Sequence, residues 1–429
     1  MTNIIAACRR YAPRLVGYTG VQVLVQVMNA ATGFFLVRSL DKNEYAWFTI
    51  ANSLLATINI MADSGLGSAT TSLGGPICHD REKFAGLVGT TRRLRHVFAL
   101  TSAVVVLPAG WWVLSRNSAP TLTTALLLVI TLMSAVPAAE TVVLSTVNRL
   151  HSRLRFMLQG DLTVSSSRLV LTSFAWLAGI NAMLAAGATA AAQWLQTLLL
   201  RRQTRDLLHG ADTPDPSWHP RVMEIVRHFF PLCVFQCVQG HLTTWLLSVF
   251  ATTHDVADVG ALSRLAIVFT FMGLPLGHLI APAIARCTDA RKLARWCVGT
   301  VVGYSFLAGG VAMSGMLLSP QVLWILGDGY VHLHAELGWY LISAAAGLLS
   351  TVLWGVVLAR SWLRLSWLHI PITLLLQLAA VFWLDLSRVI DVIVFSSISS
   401  LAGIAVCMGL MIQGVRKFAM QSPEMRMRA

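Results

Sequence analysis

The chain has 429 residues, 56% of them hydrophobic and only 12% charged, with a mean hydropathy of +0.67. Soluble domains carry about 25% charged residues, so the composition excludes a string of soluble domains and points to a membrane protein. The formal net charge of +13 suggests a nucleic-acid partner only until its distribution along the chain is considered.

A helix needs about 20 apolar residues to cross a bilayer core. Taken in order, such runs lie at 15–37, 45–62, 97–115, 121–145, 157–178, 182–200, 229–250, 259–284, 297–317, 337–359, 365–384 and 390–413. They predict an all-α polytopic membrane protein of about twelve transmembrane helices. The first run, after Arg9 and Arg10, is too long for the 7–15-residue core of a signal peptide and reads as a retained helix. Midway lies Arg201 to His228, with five arginines, Pro214, Pro216, Pro220 and a Gly-Ala-Asp turn signal at 210–212. This is a cytosolic linker, 201–228, between an N-terminal six-helix lobe (1–200) and a C-terminal one (229–429).

With both termini cytosolic, all but six of the 32 Lys and Arg fall on the inner side. Arg38, Lys42, Arg116 and Arg388 lie outside, and Arg168 and Arg264 lie within predicted spans. That bias is what membrane insertion requires, so the charge encodes topology and not a nucleic-acid partner. Seven scattered cysteines form neither a disulfide framework nor a zinc site. No phosphate-binding G-x-x-x-x-G-K-[ST] loop, H-E-x-x-H or nucleophile elbow occurs. His332 and His334 lack a third ligand and read as loop residues. No enzyme, cofactor or metal is indicated.

In the first span, Thr19, Gln22, Gln26, Asn29 and Gly33 share one helical face. The second span carries Asn52, Ala56, Asn59 and Asp63 at the same period, and the fifth carries Asp161, Ser165, Arg168 and Thr172. Unpaired polar groups facing lipid cost several kcal/mol each. These stripes therefore face either other helices, as interhelical glue, or a water-filled cavity. Glu140, in the fourth span, is a further buried acid, and its plainest use is as a partner for Arg168. In the second half, Gln236, Gln239 and Thr243 share a face, with His241 turned away. Arg264 opens the eighth span, followed by Phe271 and His278, and Gly273, Pro275, Gly277 and Pro282 mark where that helix bends. The halves echo each other weakly at half the chain length, as expected of parallel repeats about a pseudo-two-fold axis along the membrane normal.

LDKNEYAWFTIANSLLATINIMADSGLGSA (40–69), DVADVGALSRL (255–265) with LIAPAIAR (279–286), and ILGDGYVHLHAELGWYL (325–341) resemble the polysaccharide-biosynthesis, or oligosaccharide-flippase, family. That family belongs to the multidrug/oligosaccharidyl-lipid/polysaccharide (MOP) exporter superfamily. The chain departs from the family at Asp63-Ser64-Gly65, where Asp-Leu-Gly is common, and at Tyr45-Ala46, where Tyr-Gly is common. The resemblance implies two lobes around a central cavity. It also implies a bacterial inner-membrane flippase moving polyprenyl-pyrophosphate-linked oligosaccharides for O-antigen, capsule or exopolysaccharide assembly. Its implied partners are that substrate, membrane lipid, and polysaccharide polymerase and chain-length proteins. In such a carrier Arg168 and Arg264 would clamp pyrophosphate through their planar forks. Gln22, Gln26, Asn29, Asn59, Gln236 and Gln239 would hydrogen-bond sugars, and Asp63, Glu140 and Asp161 are the candidate ion-coupling carboxylates. The alternatives are an ion-coupled multidrug or organic-cation antiporter of the same fold, and a membrane glycan polymerase or glycosyltransferase.

Overall fold

The structure, a computed structural model, describes residues 2–78, 80–151, 153–208, 215–276, 280, 284, 287, 289–360, 362 and 365–421; of residues 2–19 it describes the backbone alone. The turn signal at 210–212, Pro214, Gly277, His278 and Pro282 lie outside these residues, as does the Thr19 side chain. Among the described residues the chain is helical and contains no strand. By internal packing it divides into two units, Met1–Val249 and Phe250–Ala429.

The first unit is built from α1 (Thr2–Ser39), α2 (Lys42–Asp63), α3 (Leu66–Ile77), α4 (Arg81–Arg116), α5 (Thr121–Leu150), α6 (Leu154–Leu177), α7 (Ala182–Thr204) and α8 (His219–Phe250). Short polar side chains start several of them by accepting from orphan backbone N–H groups: Asp41 before α2, Asp80 before α4 and Asn181 before α7. α2 stops at Ser64 and Gly65, whose positive φ angles of 38° and 90° turn the chain into α3. Ala62, Ala99, Ala103, Ala135 and Ala139 line a core shared by α2, α4 and α5. Such small residues let membrane helices approach closely.

α8 belongs to this unit. Its start places Val222 and Val226 on a cluster with Leu66, Ala69 and Leu87. Its end offers the Ser248 and Val249 carbonyls to the Asn117 amide (3.1 Å) and Arg116 Nε (3.0 Å). α8 thus meets α4 near both of its ends, and the two run in the same direction.

The second unit comprises α9 (Thr253–Leu265), α10 (Ile267–Pro275), α11 (Ala290–Leu317), α12 (Ser319–Leu326), α13 (His334–Ala359), α14 (His369–Val381) and α15 (Val389–Gln421). A Thr252–Asp255 capping box opens α9. Leu293 and Cys297 of α11, Leu353, Val356 and Val357 of α13, and Cys407, Leu410 and Met411 of α15 form its core.

Among the described residues nine helices are long and apolar enough to cross a membrane. The other predicted spans are helical too, as α6, α8 and the shorter α14. The chain is a multi-pass membrane protein.

Candidate functional site

The polar stripes of α1 and α6 meet. Gln22 Nε2 donates to Asp161 Oδ2 at 2.9 Å, and Ser165 Oγ donates to Asn29 Oδ1 at 3.2 Å. Partner numbers rise together on both helices, so the two run parallel. Ser165 and Thr172 are buried, and Gln22, Gln26, Asn29, Asp161 and Arg168 are half-buried. The Thr172 hydroxyl donates to the Arg168 carbonyl at 2.7 Å. Part of each stripe is therefore the interhelical bonding weighed as the alternative to a wet chamber.

A second polar group collects α2, α4, α5 and α7. Asp63, the last residue of α2, accepts from Arg95 Nη1 at 2.6 Å and from the Gly67 backbone N–H at 3.2 Å. A Cβ on Gly67 would lie 3.2 Å from Asp63 Oδ1, so any larger residue would need the carboxylate to shift by a few tenths of an ångström. Arg95 is 3% exposed. Asn59, one turn earlier on α2, is half-buried.

Glu140 on α5, 1% exposed, joins three helices. Arg201 of α7 forks onto it through Nη2 to Oε2 and through Nε to Oε1, the latter at 2.8 Å. Arg92 of α4 adds Nη2 to Oε1 at 2.9 Å. Thr141 and Thr197, 2.9 Å apart, tie α5 to α7 beside it. The arginines that neutralise this acid are Arg92 and Arg201, a correction to its pairing with Arg168. A bidentate guanidinium–carboxylate fork is among the stronger polar contacts available to a protein.

Arg92, Arg95 and Arg201 were read as loop and linker charges, which left Arg168 and Arg264 as the only basic residues within spans. They are in fact helical. α4 has 36 residues, about 54 Å at 1.5 Å per residue, against a hydrocarbon core of about 30 Å. The helix is longer than that core, and Arg92 and Arg95 precede its apolar run at 97–115. The Asp80 cap, the unbroken helical register from 81 and the (i, i+3) spacing of Arg92 and Arg95 were the available signals.

Gln236 is exposed and Gln239 half-buried on α8, while Cys237 between them is buried with its Sγ 3.8 Å from the Thr57 carbonyl. His241 lies beside Trp245, ring centroids 5.9 Å apart. In the second unit Arg264 is half-buried near the end of α9. One turn and a half earlier, buried Asp258 meets His332 Nε2 at 3.1 Å, giving that histidine a partner which sequence spacing did not supply. Among the described residues no group of three His, Cys, Asp or Glu is arranged to hold a metal.

No family model matches the chain, and no curated protein matches it. Solved structures do. The lipid II flippase MurJ, in an inward closed conformation, superposes with a TM-score of 0.73 at 9% identity, covering 95% of this chain and 90% of that one. A multidrug resistance MATE family transporter in its inward-facing conformation gives 0.70 at 14% identity, over 94% and 99%. The fold is that of the MOP-superfamily transporters. A MOP transporter from Pyrococcus furiosus, described as having a binding pocket of reverse polarity that suggests a different function, gives 0.63 at 14% identity over 95% of both chains. At these identities the likeness carries the fold and leaves the cargo open.

Proposed function

We propose that the protein is an inner-membrane flippase for polyprenyl-pyrophosphate-linked oligosaccharides, used in surface-polysaccharide assembly and working by alternating access. The supporting observation is the charge balance inside the first unit. Asp63 is matched by Arg95 and Glu140 by both Arg92 and Arg201, and Arg168 adds a further cation among half-buried amides and hydroxyls. Four arginines against the three acids Asp63, Glu140 and Asp161 suit an anionic cargo better than an organic cation. Arg168 and Arg264 are the proposed pyrophosphate ligands, with Gln22, Gln26, Asn29, Asn59, Gln236 and Gln239 toward the sugars. MurJ, named a lipid II flippase, is a precedent for a lipid-linked cargo on this fold.

Because arginines already hold Asp63 and Glu140, Asp161 is the carboxylate we assign to ion coupling. It is also the residue that favours the second reading, an organic-cation antiporter, since it is half-buried and accepts from an amide. Reconstitution into proteoliposomes separates the two. Translocation of a fluorescent polyprenyl-pyrophosphate oligosaccharide, lost in Arg168→Ala and Arg264→Ala, is expected. Proton- or sodium-driven ethidium movement without oligosaccharide translocation would replace this reading with the antiporter.

A further inference from the structure

The second unit carries a groove of about 750 Å³ on one face of α11, floored by Lys292, Trp296, Gly299, Gly303 and Leu307 with Arg295 at its mouth. Positions 292, 296, 299, 303 and 307 recur at helical spacing, so they form a continuous strip. Met272 and Ile280 line the facing wall.

Two residues of the strip lack side chains, and packing among the described residues does not explain their absence. A Cβ built on Gly299 or Gly303 meets nothing within 4 Å. Gly315, on the same helix, differs: its Cβ would come within 2.6 Å of Leu341, so close helix packing excludes a side chain there. Glycine costs a helix about 1 kcal/mol relative to alanine, and at 299 and 303 no neighbour among the described residues returns that cost.

The groove is mostly apolar along its length, with Thr300 and Tyr304 also in its lining, and cationic at one end. Beside Lys292 stands Asp289, whose Oδ1 accepts from the Arg291 and Lys292 N–H groups and whose Oδ2 lies 4.0 Å from Lys292 Nζ. Among the described residues 289–295, basic side chains outnumber acidic ones. This end of α11 follows segment 286–295, which the inside-positive bias assigns to the cytosolic face. That face is also where anionic lipids concentrate. Half-exposed Trp296 sits next to the charges, as an interfacial tryptophan does. From Trp296 to Leu307 the apolar floor runs eleven residues, about 17 Å, close to the depth of a single leaflet, about 15 Å.

We infer that this strip of α11 binds one anionic glycerophospholipid of the inner leaflet, its phosphate at Lys292 and Arg295 and an acyl chain laid over Gly299 and Gly303. The one-leaflet length favours an acyl chain over a polyprenyl tail. A second copy of the chain, seated through the Gly-x-x-x-Gly strip about an axis along the membrane normal, would bring two sets of Lys292 and Arg295 together and is disfavoured by their repulsion.

The test uses the full-length protein in vesicles with photoactivatable phosphatidylglycerol or phosphatidylcholine, followed by mass-spectrometric mapping. Phosphatidylglycerol is expected to label residues 290–307 several-fold more than phosphatidylcholine. Gly299→Leu/Gly303→Leu should lower that labelling about tenfold while leaving the melting temperature within a few degrees, since the added side chains enter open space. Lys292→Gln/Arg295→Gln, which leaves the glycines untouched, should equalise the two probes. Equal labelling of the intact protein by both probes, labelling unchanged in both double variants, or α11–α11 cross-links between copies would overturn the site. Oligosaccharide translocation is read separately, so its absence with labelling intact would count only against the proposed cargo.

Discussion

Gln22 on α1 and Asp161 on α6 are separated by 139 positions in sequence, and their side chains meet at 2.9 Å. A buried or half-buried polar group that loses its partner costs about 1–3 kcal/mol. Asp161→Leu strands the Gln22 amide and should lower the melting temperature in detergent by several degrees. Asp161→Asn retains an acceptor for Gln22 and should fold normally while abolishing any dependence of transport on an ion gradient. Gradient-driven transport surviving in Asp161→Asn would remove this carboxylate from the coupling role.

Glu140 is held by two guanidinium groups. In Glu140→Gln, Arg92 and Arg201 face each other across a neutral amide. Removing one partner of a fully buried ion pair costs about 3–5 kcal/mol. Arg201 and Arg92 are 44% and 30% exposed, so solvent screens part of the repulsion and about 2 kcal/mol is the expected loss. Adding Arg92→Gln should restore part of it, which a double-mutant cycle on thermal stability would read as a coupling energy.

Gly110 packs where α2 meets α4. A Cβ there would lie 2.5 Å from Leu54 Cδ1 and 3.1 Å from Leu128 Cδ2. Gly110→Val should therefore destabilise the first unit by about 1–3 kcal/mol through overpacking. Gly187→Ala, on α7 with nothing within 4 Å, should be neutral or slightly stabilising.

Outside the spans, Arg153 forks onto Asp206 with contacts of 3.0 and 2.6 Å. Its side-chain hydrogen bonds hold the Asp206 carboxyl below its ordinary value. A depressed folded-state pKa gives stability that is present above the unfolded aspartate value and is lost as pH falls through the folded one. Asp206→Asn should thus differ from the unaltered protein at neutral pH and converge with it in acid below the usual carboxylate range. The pair is largely exposed, so the difference should stay within about 1 kcal/mol.

Much of this architecture could be read from residue order, because hydrocarbon imposes a length and an apolar period that little else in a sequence imitates. The α1 and α6 stripes were visible for the same reason, and their two hydrogen bonds join residues that spacing had singled out. What escaped was pairing. Arg92, Arg95 and Arg201 looked like solvated ends because hydropathy registers the bilayer core and not the turns by which a helix overhangs it. Nor does periodicity say which neighbour a helix chooses. Gln236 and Gln239 share a face of α8, yet the contacts of that helix run to α4 near its ends and, through Cys237, to the α2 backbone.

The single carboxylate of Glu140 acts as a rivet through α4, α5 and α7. Helices pinned at one shared point can pivot together but cannot slide past one another. The left-handed elbow at Ser64 and Gly65 is fastened in the same manner, since Asp63 before it accepts from Gly67 after it and from Arg95 of α4.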